Sequence, residues 1–201
     1  ALPGTNLTLW LVIVVVFLNL VVIAIGAQSL RYSRERTVEQ VRNATTNYAE
    51  LLENNIFESA QRIDLALLNI ADTLEHRMTM HTLSDTEINR TLEVHTKRLP
   101  EVDAFRVSNV QGDILWGKGV NRSVPVSYAD RPFFAEHRAK PGQDMIVTEP
   151  VLGRVSNIWV VAFTRSYRNP DGSFAGVIAA AVPVSYFSDH IDTLKLGAHG
   201  T

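Results

Sequence analysis

Arg131 is the residue whose type and position point most directly to binding chemistry. It follows the loop of residues 117–130 and opens a short predicted helix that continues with Phe133. A guanidinium beside a loop presents parallel N–H donors that can clamp a carboxylate with two hydrogen bonds. The alternatives are a salt bridge to Asp130 or Glu136, or a solvated surface charge.

Other side chains can complete a pocket around Arg131. Arg165 shares a predicted strand face with Phe163 and Trp159, which places it at a pocket edge unless it only follows the buried run. Tyr128 can supply a hydroxyl from the loop. Aromatic rings can form walls, although core packing is the alternative role for Trp159. The predicted ligand contacts are Tyr128, Asp130, Arg131, Phe133, Trp159, Phe163 and Arg165.

No residue pattern indicates catalysis, a metal site or a cofactor. The chain has no cysteine, which removes disulfides, thiolate ligands and cysteine nucleophiles. Its six histidines lack the spacing of a metal motif, and we interpret His137 and His190 as surface residues. We therefore expect no catalytic residue, no metal ligand and no cofactor.

The composition is that of a folded domain without a nucleic-acid-binding surface. Of 201 residues, 46% are hydrophobic and 20% are charged, and the formal net charge is -2. This length fits one domain of ordinary size with accessory helices. No basic stripe is interleaved with aromatic residues, so we expect no nucleic-acid partner.

Residues 7–28 form an almost wholly apolar segment that predicts a transmembrane helix. An α-helix of this length spans roughly 33 Å, against a hydrocarbon core of about 30 Å. Trp10 would lie near one interface, and arginines follow the other end from Arg31 onward. The alternatives are a buried helix and a signal peptide cleaved near Ala27. We expect an uncleaved, single-pass anchor in the lipid bilayer, preceded by a truncated segment, residues 1–6.

Residues 29–80 predict a long amphipathic helix for signalling and dimerisation. Apolar or small residues recur at steps of three and four from Val41 to Met78, and neither glycine nor proline interrupts them. The first part is expected to pair with the same helix of a second copy, which gives a homodimer. The second half, from Ile63 onward, is expected to pack on its own domain. The alternative is a helix that packs lengthwise on its own domain throughout.

A second helix is predicted from about Ser84 to Arg98, before Pro100. Ser84 and Glu87 have the spacing of a capping box, in which each side chain bonds a free backbone N–H of the first turn.

The chain beyond Pro100 changes to the alternating pattern of strands, which predicts an α+β fold. The predicted strands are residues 102–110, 114–116, 145–148, 157–167 and 173–184. A short helix is predicted at residues 131–139, with Asp130 as its cap. The last two strands are apolar on both faces and should therefore be covered on both sides. The long helix is one cover and residues 117–140 are the other, and the predicted pocket lies under the second.

These elements resemble the PAS-like double Cache sensor domains found outside the membrane in bacterial receptors. The likeness rests on four sequence blocks, which are Asp130–Phe134, Ser156–Arg165, Pro170–Val177 and Tyr186–Phe187. It implies a five-stranded antiparallel sheet with helices on both faces, behind an N-terminal transmembrane helix and a long helix. Residues 81–196 would be the membrane-distal half of such a domain, and residues 197–201 the start of the other half.

A subset of these domains binds amino acids through an arginine that is followed, after one spacer, by two aromatic residues. Arg131, Phe133 and Phe134 match that arrangement. The tyrosine expected five residues before the arginine is replaced by Val126, and the aspartate expected on the last strand has no counterpart near Val182. The resemblance therefore does not predict amino-acid recognition.

The resemblance implies the sensor region of a membrane-bound receptor in the bacterial inner membrane. A small, anionic, carboxylate-like ligand would bind outside the cytoplasm, and the membrane helix would pass the signal to a diguanylate cyclase (GGDEF) or histidine kinase module. The arginines after the apolar span, taken literally, would place the domain in the cytoplasm instead. The alternatives are a periplasmic protein-interaction module without a small ligand and a membrane-tethered enzyme, although we expect this segment not to be an enzyme.

Overall fold

The computed structural model describes Trp10, residues 17–19, Ile23 and residues 53–194, with the side chains of residues 190–194 excepted. Most of the predicted membrane span, the first part of the predicted long helix and both predicted end segments lie outside the described residues. Within the part of the chain that is described, no helix is both long enough and apolar enough to cross a membrane.

The described chain alternates helices and strands in an α+β order. The first helix, α1, covers residues 53–79. The elements that follow are α2 (Asp85–Arg98), β1 (Ala104–Ser108), β2 (Ile114–Gly117), α3 (Pro132–Ala139), β3 (Ile146–Val147), β4 (Val151–Leu152), β5 (Trp159–Arg168), β6 (Phe174–Pro183) and α4 (Val184–Leu194).

The strands form one antiparallel sheet with the order β2-β1-β6-β5-β3, and β4 also pairs with β5. The sheet therefore has six strands rather than the five predicted. The additional strand is β4, whose two residues lie opposite Val160 and Trp159 at the start of β5. A strand of two residues is too short to show an alternating pattern, which is why the sequence does not reveal it.

The two central strands are β5 and β6, and they form the predicted hairpin. Nine of the ten residues of β6 are buried, as expected for a strand covered on both sides. The turn closes where the amide of Gly172 donates to the carbonyl of Asn169 at 2.8 Å. Gly172 has a φ of +83°, a conformation that glycine adopts without a steric penalty.

Helix α1 covers one face of the sheet, which we call the helix face. Its residues Ile63, Leu67 and Ile70 are almost completely buried and belong to one cluster with Phe105 and Ile178 of the sheet. The spacing of these α1 residues by three and four is the predicted apolar stripe, so the prediction for the second half of the long helix is confirmed.

Residues 117–140 cover the opposite face of the sheet, which we call the cover face. Phe133 and Phe134 of α3 are buried against Phe174 and Val177 of β6 in a second cluster. The rings of Phe134 and Phe174 meet edge to face, with centroids 5.4 Å apart. The predicted cover therefore lies on the sheet.

Both predicted helix caps need correction. Ser84 is the N-cap of α2, but its side chain makes no capping hydrogen bond. Glu87, the other half of the predicted capping box, instead forms an ion pair with Arg77 of α1. At α3 the N-cap is Arg131 rather than Asp130. The carboxylates of Glu87 and Asp130 are instead bound by the guanidiniums of Arg77 and Arg154.

Candidate functional site

Strand alternation divides the side chains of the sheet between its two faces. On β1, Phe105 and Val107 belong to the core of the helix face. Arg106 lies between them and therefore points to the cover face. The same parity on β5 sends Phe163 to the helix face and Thr164 to the cover face.

The middle of the cover face is made of small side chains. Register pairs Arg106 of β1 with Ala179 of β6, and Ala179 with Thr164 of β5. The neighbouring row holds alanine in all three strands, at Ala104, Ala181 and Ala162. Neighbouring strands lie about 4.8 Å apart, so Arg106 and Thr164 stand roughly 10 Å apart across a floor of methyl groups.

Helix α3 is attached to the Thr164 side of this floor through polar contacts. His137 Nε2 lies 3.0 Å from Thr164 Oγ1, and the amide of Gly142 donates to Ser166 Oγ at 2.9 Å. His137 is 0% exposed, so its interpretation as a surface residue is wrong. The reason is that α3 uses this side chain, together with Phe134, to face the sheet. Burial lowers the pKa of His137 below its usual range.

An ion pair connects the start of α3 to the turn before β5. Arg154 donates two hydrogen bonds to the carboxylate of Asp130, each 2.6 Å long, and a third to the carbonyl of Ser127. The hydrogen bonds from Arg154 hold the pKa of Asp130 at about 2. Arg154 also lines a cavity of about 190 Å³. The other residues around this cavity are Gly119, Val120, Asn121, Val124, Val126 and Val155.

Tyr128 and Arg131 lie beside this ion pair. The ring of Tyr128 meets Phe133 edge to face at 5.4 Å. Burial raises the pKa of Tyr128, and the nearby guanidiniums of Arg106, Arg131 and Arg154 oppose that rise. Arg131 donates from Nη2 to the carbonyl of Leu152 at 2.9 Å and forms no ion pair with a described carboxylate. Its predicted partners Asp130 and Glu136 are not used.

Arg106 is the functional candidate that sequence reasoning missed. It is only 4% exposed, and among the described residues its Nε has no hydrogen-bond partner. Its one ion-pair contact, from Nη2 to Asp103, is 3.6 Å long, whereas Lys118 donates to the same carboxylate at 3.0 Å. The available signal was an arginine inside the apolar strand sequence Ala104–Ser108.

No protein-family model matches this chain. No curated protein matches it either.

Three solved structures of similar fold come from the extracellular or sensor regions of receptors. The extracellular domain of rpHK1S-Z16, described as a histidine kinase, is 24% identical with a TM-score of 0.65, over 73% of this chain and 59% of that one. The Campylobacter jejuni chemoreceptor Tlp3 ligand-binding domain, in complex with 4-methylisoleucine, is 12% identical with a TM-score of 0.59, over 73% and 60%. The sensor domain of the V. cholerae histidine kinase DctB is 17% identical with a TM-score of 0.57, over 74% and 58%.

The chain has the fold of a Cache-type sensor domain. It spans about three fifths of the length of these sensor-domain structures. All three structures are described as extracellular, ligand-binding or sensor domains.

Four of the seven predicted ligand contacts belong to the cover itself, within residues 128–133. They are Tyr128, Asp130, Arg131 and Phe133. Phe163 is instead buried in the core of the helix face. Arg165 donates from Nη2 to Asp64 of α1 at 3.0 Å. Trp159 is 60% exposed where β5 begins.

The structure therefore separates Trp159, Phe163 and Arg165 from the four residues of the cover. A strand that is apolar on both faces gives no signal of which face meets the cover. Whether any of the seven contacts a ligand stays a prediction.

Proposed function

We propose that this chain is the extracytoplasmic sensor region of a membrane receptor and that it binds a small anionic ligand under residues 117–140. The observation that carries the proposal is the group of arginines around Tyr128. Of these, only Arg154 has a close carboxylate partner, which is Asp130. Arg131 donates to a backbone carbonyl, and its remaining N–H donors can bind an anion. Net positive charge at a covered site favours anionic ligands.

Two further features support a receptor role. The similar structures include a chemoreceptor ligand-binding domain in complex with a small molecule and the extracellular or sensor domains of histidine kinases. Helix α1 is joined to β5 by the Arg165–Asp64 ion pair and by the apolar core, so a change in the sheet can move the helix. Ligand binding biases such a movement only through unequal affinity for the two states.

The remaining parts of the proposal concern the membrane, the dimer and the output. Residues 7–28 anchor the chain as a single-pass helix in the bacterial inner membrane. The long helix pairs with a second copy, and Phe57 and Leu65, which are 61% and 67% exposed on α1, provide apolar surface for that pairing. The signal passes to a histidine kinase or diguanylate cyclase module.

Thermal-shift screening of the 201-residue chain in mild detergent tests ligand binding. The panel should contain carboxylates, amines and nucleobases. We expect a carboxylate to raise the melting temperature, because a ligand that binds only the folded state stabilises it. Arg131→Ala should abolish most of this shift, whereas Arg90→Ala, which removes an exposed arginine from α2, should not.

Absence of any shift across the panel would contradict the proposal. It would favour the alternative, a protein-interaction module without a small ligand. That alternative has its own supporting observation, since Val147, Leu152, Ile158 and Trp159 expose apolar surface near one edge of the sheet.

A further inference from the structure

We propose that Arg106 is the anchor of the ligand site and that it binds the carboxylate of a small organic acid above Ala179 and Ala181. This inference rests on the proposed function and deepens it, because it names the recognition residue and the chemical group recognised. Neither follows from the four sequence blocks that suggested the fold, since Arg106 lies outside all of them.

The surroundings of Arg106 leave its charge incompletely satisfied. A buried guanidinium is costly unless it is paired and hydrogen-bonded. The 3.6 Å contact with Asp103 is longer than a charge-assisted hydrogen bond, and Lys118 already binds that carboxylate at 3.0 Å. Nε has no partner among the described residues, although the side chain is almost wholly buried. A carboxylate that accepts from Nε and Nη2 together would complete the pair in the two-pronged geometry that arginine favours.

The position of Arg106 in the sheet gives the ligand a defined place. Its neighbours on the cover face toward β6 are Ala179 in its own row, Ala181 in one adjacent row and Val177 in the other. Thr164 and the buried His137 limit this floor on the far side. The Arg106 and Thr164 strand positions stand roughly 10 Å apart across these alanines.

Tyr128 supplies the second polar contact from the cover. Its hydroxyl makes no hydrogen bond with another described residue, while its ring is fixed against Phe133. A phenolic O–H can donate to a carboxylate oxygen. Arg106 lies near enough to Tyr128 to oppose the rise in the pKa of its phenol. The site thus combines Arg106 from the sheet with Tyr128 and Arg131 from the cover, so that binding of an acid would draw the cover and the sheet together.

The test compares acids with amides of matching shape on the 201-residue chain in mild detergent. The probes are pyruvate, malonate, L-valine and benzoate. The affinity for each acid is compared with that for the corresponding amide, in which every carboxylate is replaced by a carboxamide. Calorimetric titration of wild type should show at least one acid that binds about tenfold or more tightly than its amide, because a hydrogen bond to a charged group is worth that factor. Arg106→Met should remove this preference, and Arg106→Lys should keep only part of it.

A stability measurement separates ligand recognition from a structural role. Without ligand, Arg106→Met should melt at the wild-type temperature or above, since methionine fills the volume and removes an incompletely paired charge. Lys118 still pairs with Asp103 in that variant. If Arg106→Met fails to fold, the test uses Arg106→Lys instead. If that variant has the same ratio of acid to amide affinity as wild type, the inference is overturned.

The failure of this inference and the failure of the proposed function give different results. If an acid or any other probe binds wild type and Arg106→Met equally well, Arg106 is not the anchor, but the sensor proposal stands. If no acid, amide, amine or nucleobase binds wild type, both proposals are overturned.

Discussion

Individual buried polar residues determine what the cover face of the sheet can bind. Arg106 and His137 both point to this face, and each has a ring or guanidinium nitrogen without a partner among the described residues. Most buried polar groups in folded proteins are satisfied, so such atoms require an explanation. For Arg106 we infer ligand recognition, whereas for His137 the contact with Thr164 indicates attachment of α3 to the sheet.

His137 should make the protein less stable as the pH falls. Burial lowers its pKa in the folded state, Arg165 acts in the same direction, and both outweigh the contributions of Thr164 and Glu136. Below the unfolded-state pKa of about 6.5, the unfolded chain binds a proton that the folded chain does not, so stability decreases. We expect the urea concentration at the midpoint of unfolding to decrease as the pH is lowered from 7.5 to 5.5. The variant His137→Gln should show a smaller decrease.

Two other histidines serve as comparisons for this experiment. Burial also lowers the pKa of His95, so His95→Gln should remove a separate part of the pH dependence. His76→Gln, which replaces an exposed histidine of α1, controls for the substitution itself. A wild-type slope that persists in His137→Gln would show that His137 does not titrate as proposed.

At the scale of elements, α1 is held to the sheet by one apolar stripe, while another of its faces is open. Leu67 is completely buried against the sheet, whereas Leu65, two residues earlier, is 67% exposed. The contrast follows from the period of 3.6 residues, which turns neighbouring positions to different sides of a helix.

Truncation of these two leucines should affect stability to very different extents. Leu67→Ala removes buried methyl groups and leaves a cavity, so we expect a loss of about 2–5 kcal/mol in the free energy of unfolding. Leu65→Ala should change that free energy by less than about 0.5 kcal/mol. Urea unfolding followed by circular dichroism measures both values. Equal losses in the two variants would mean that α1 is packed differently on the sheet.

For the whole molecule, the sequence predicts the elements better than it predicts their contacts. The β5–β6 hairpin could be predicted because the turn Asn169–Gly172 and the apolar runs beside it are local signals. The side of β5 that bears Arg165 could not, because both faces of that strand are apolar and the alternation carries no direction. The Arg154–Asp130 pair joins residues 24 positions apart, and only the folded chain brings them together.

The same distinction applies to the site. Arg131, Tyr128 and Phe133 could be proposed because a loop and a helix start expose their chemistry in the sequence. Arg106 looks like one residue of a buried strand, and its importance depends on competition with Lys118 for Asp103 and on Tyr128 of the cover. Burial and competition for partners are properties of the tertiary structure.

Hydrogen exchange on the 201-residue chain, with and without the four acids, tests most directly whether a ligand binds beneath the cover. The account predicts that at least one acid slows amide exchange in residues 117–140 and in β1, with little change at the exposed edge around Trp159. Protection confined to that edge, or no protection by any of the acids, would contradict it.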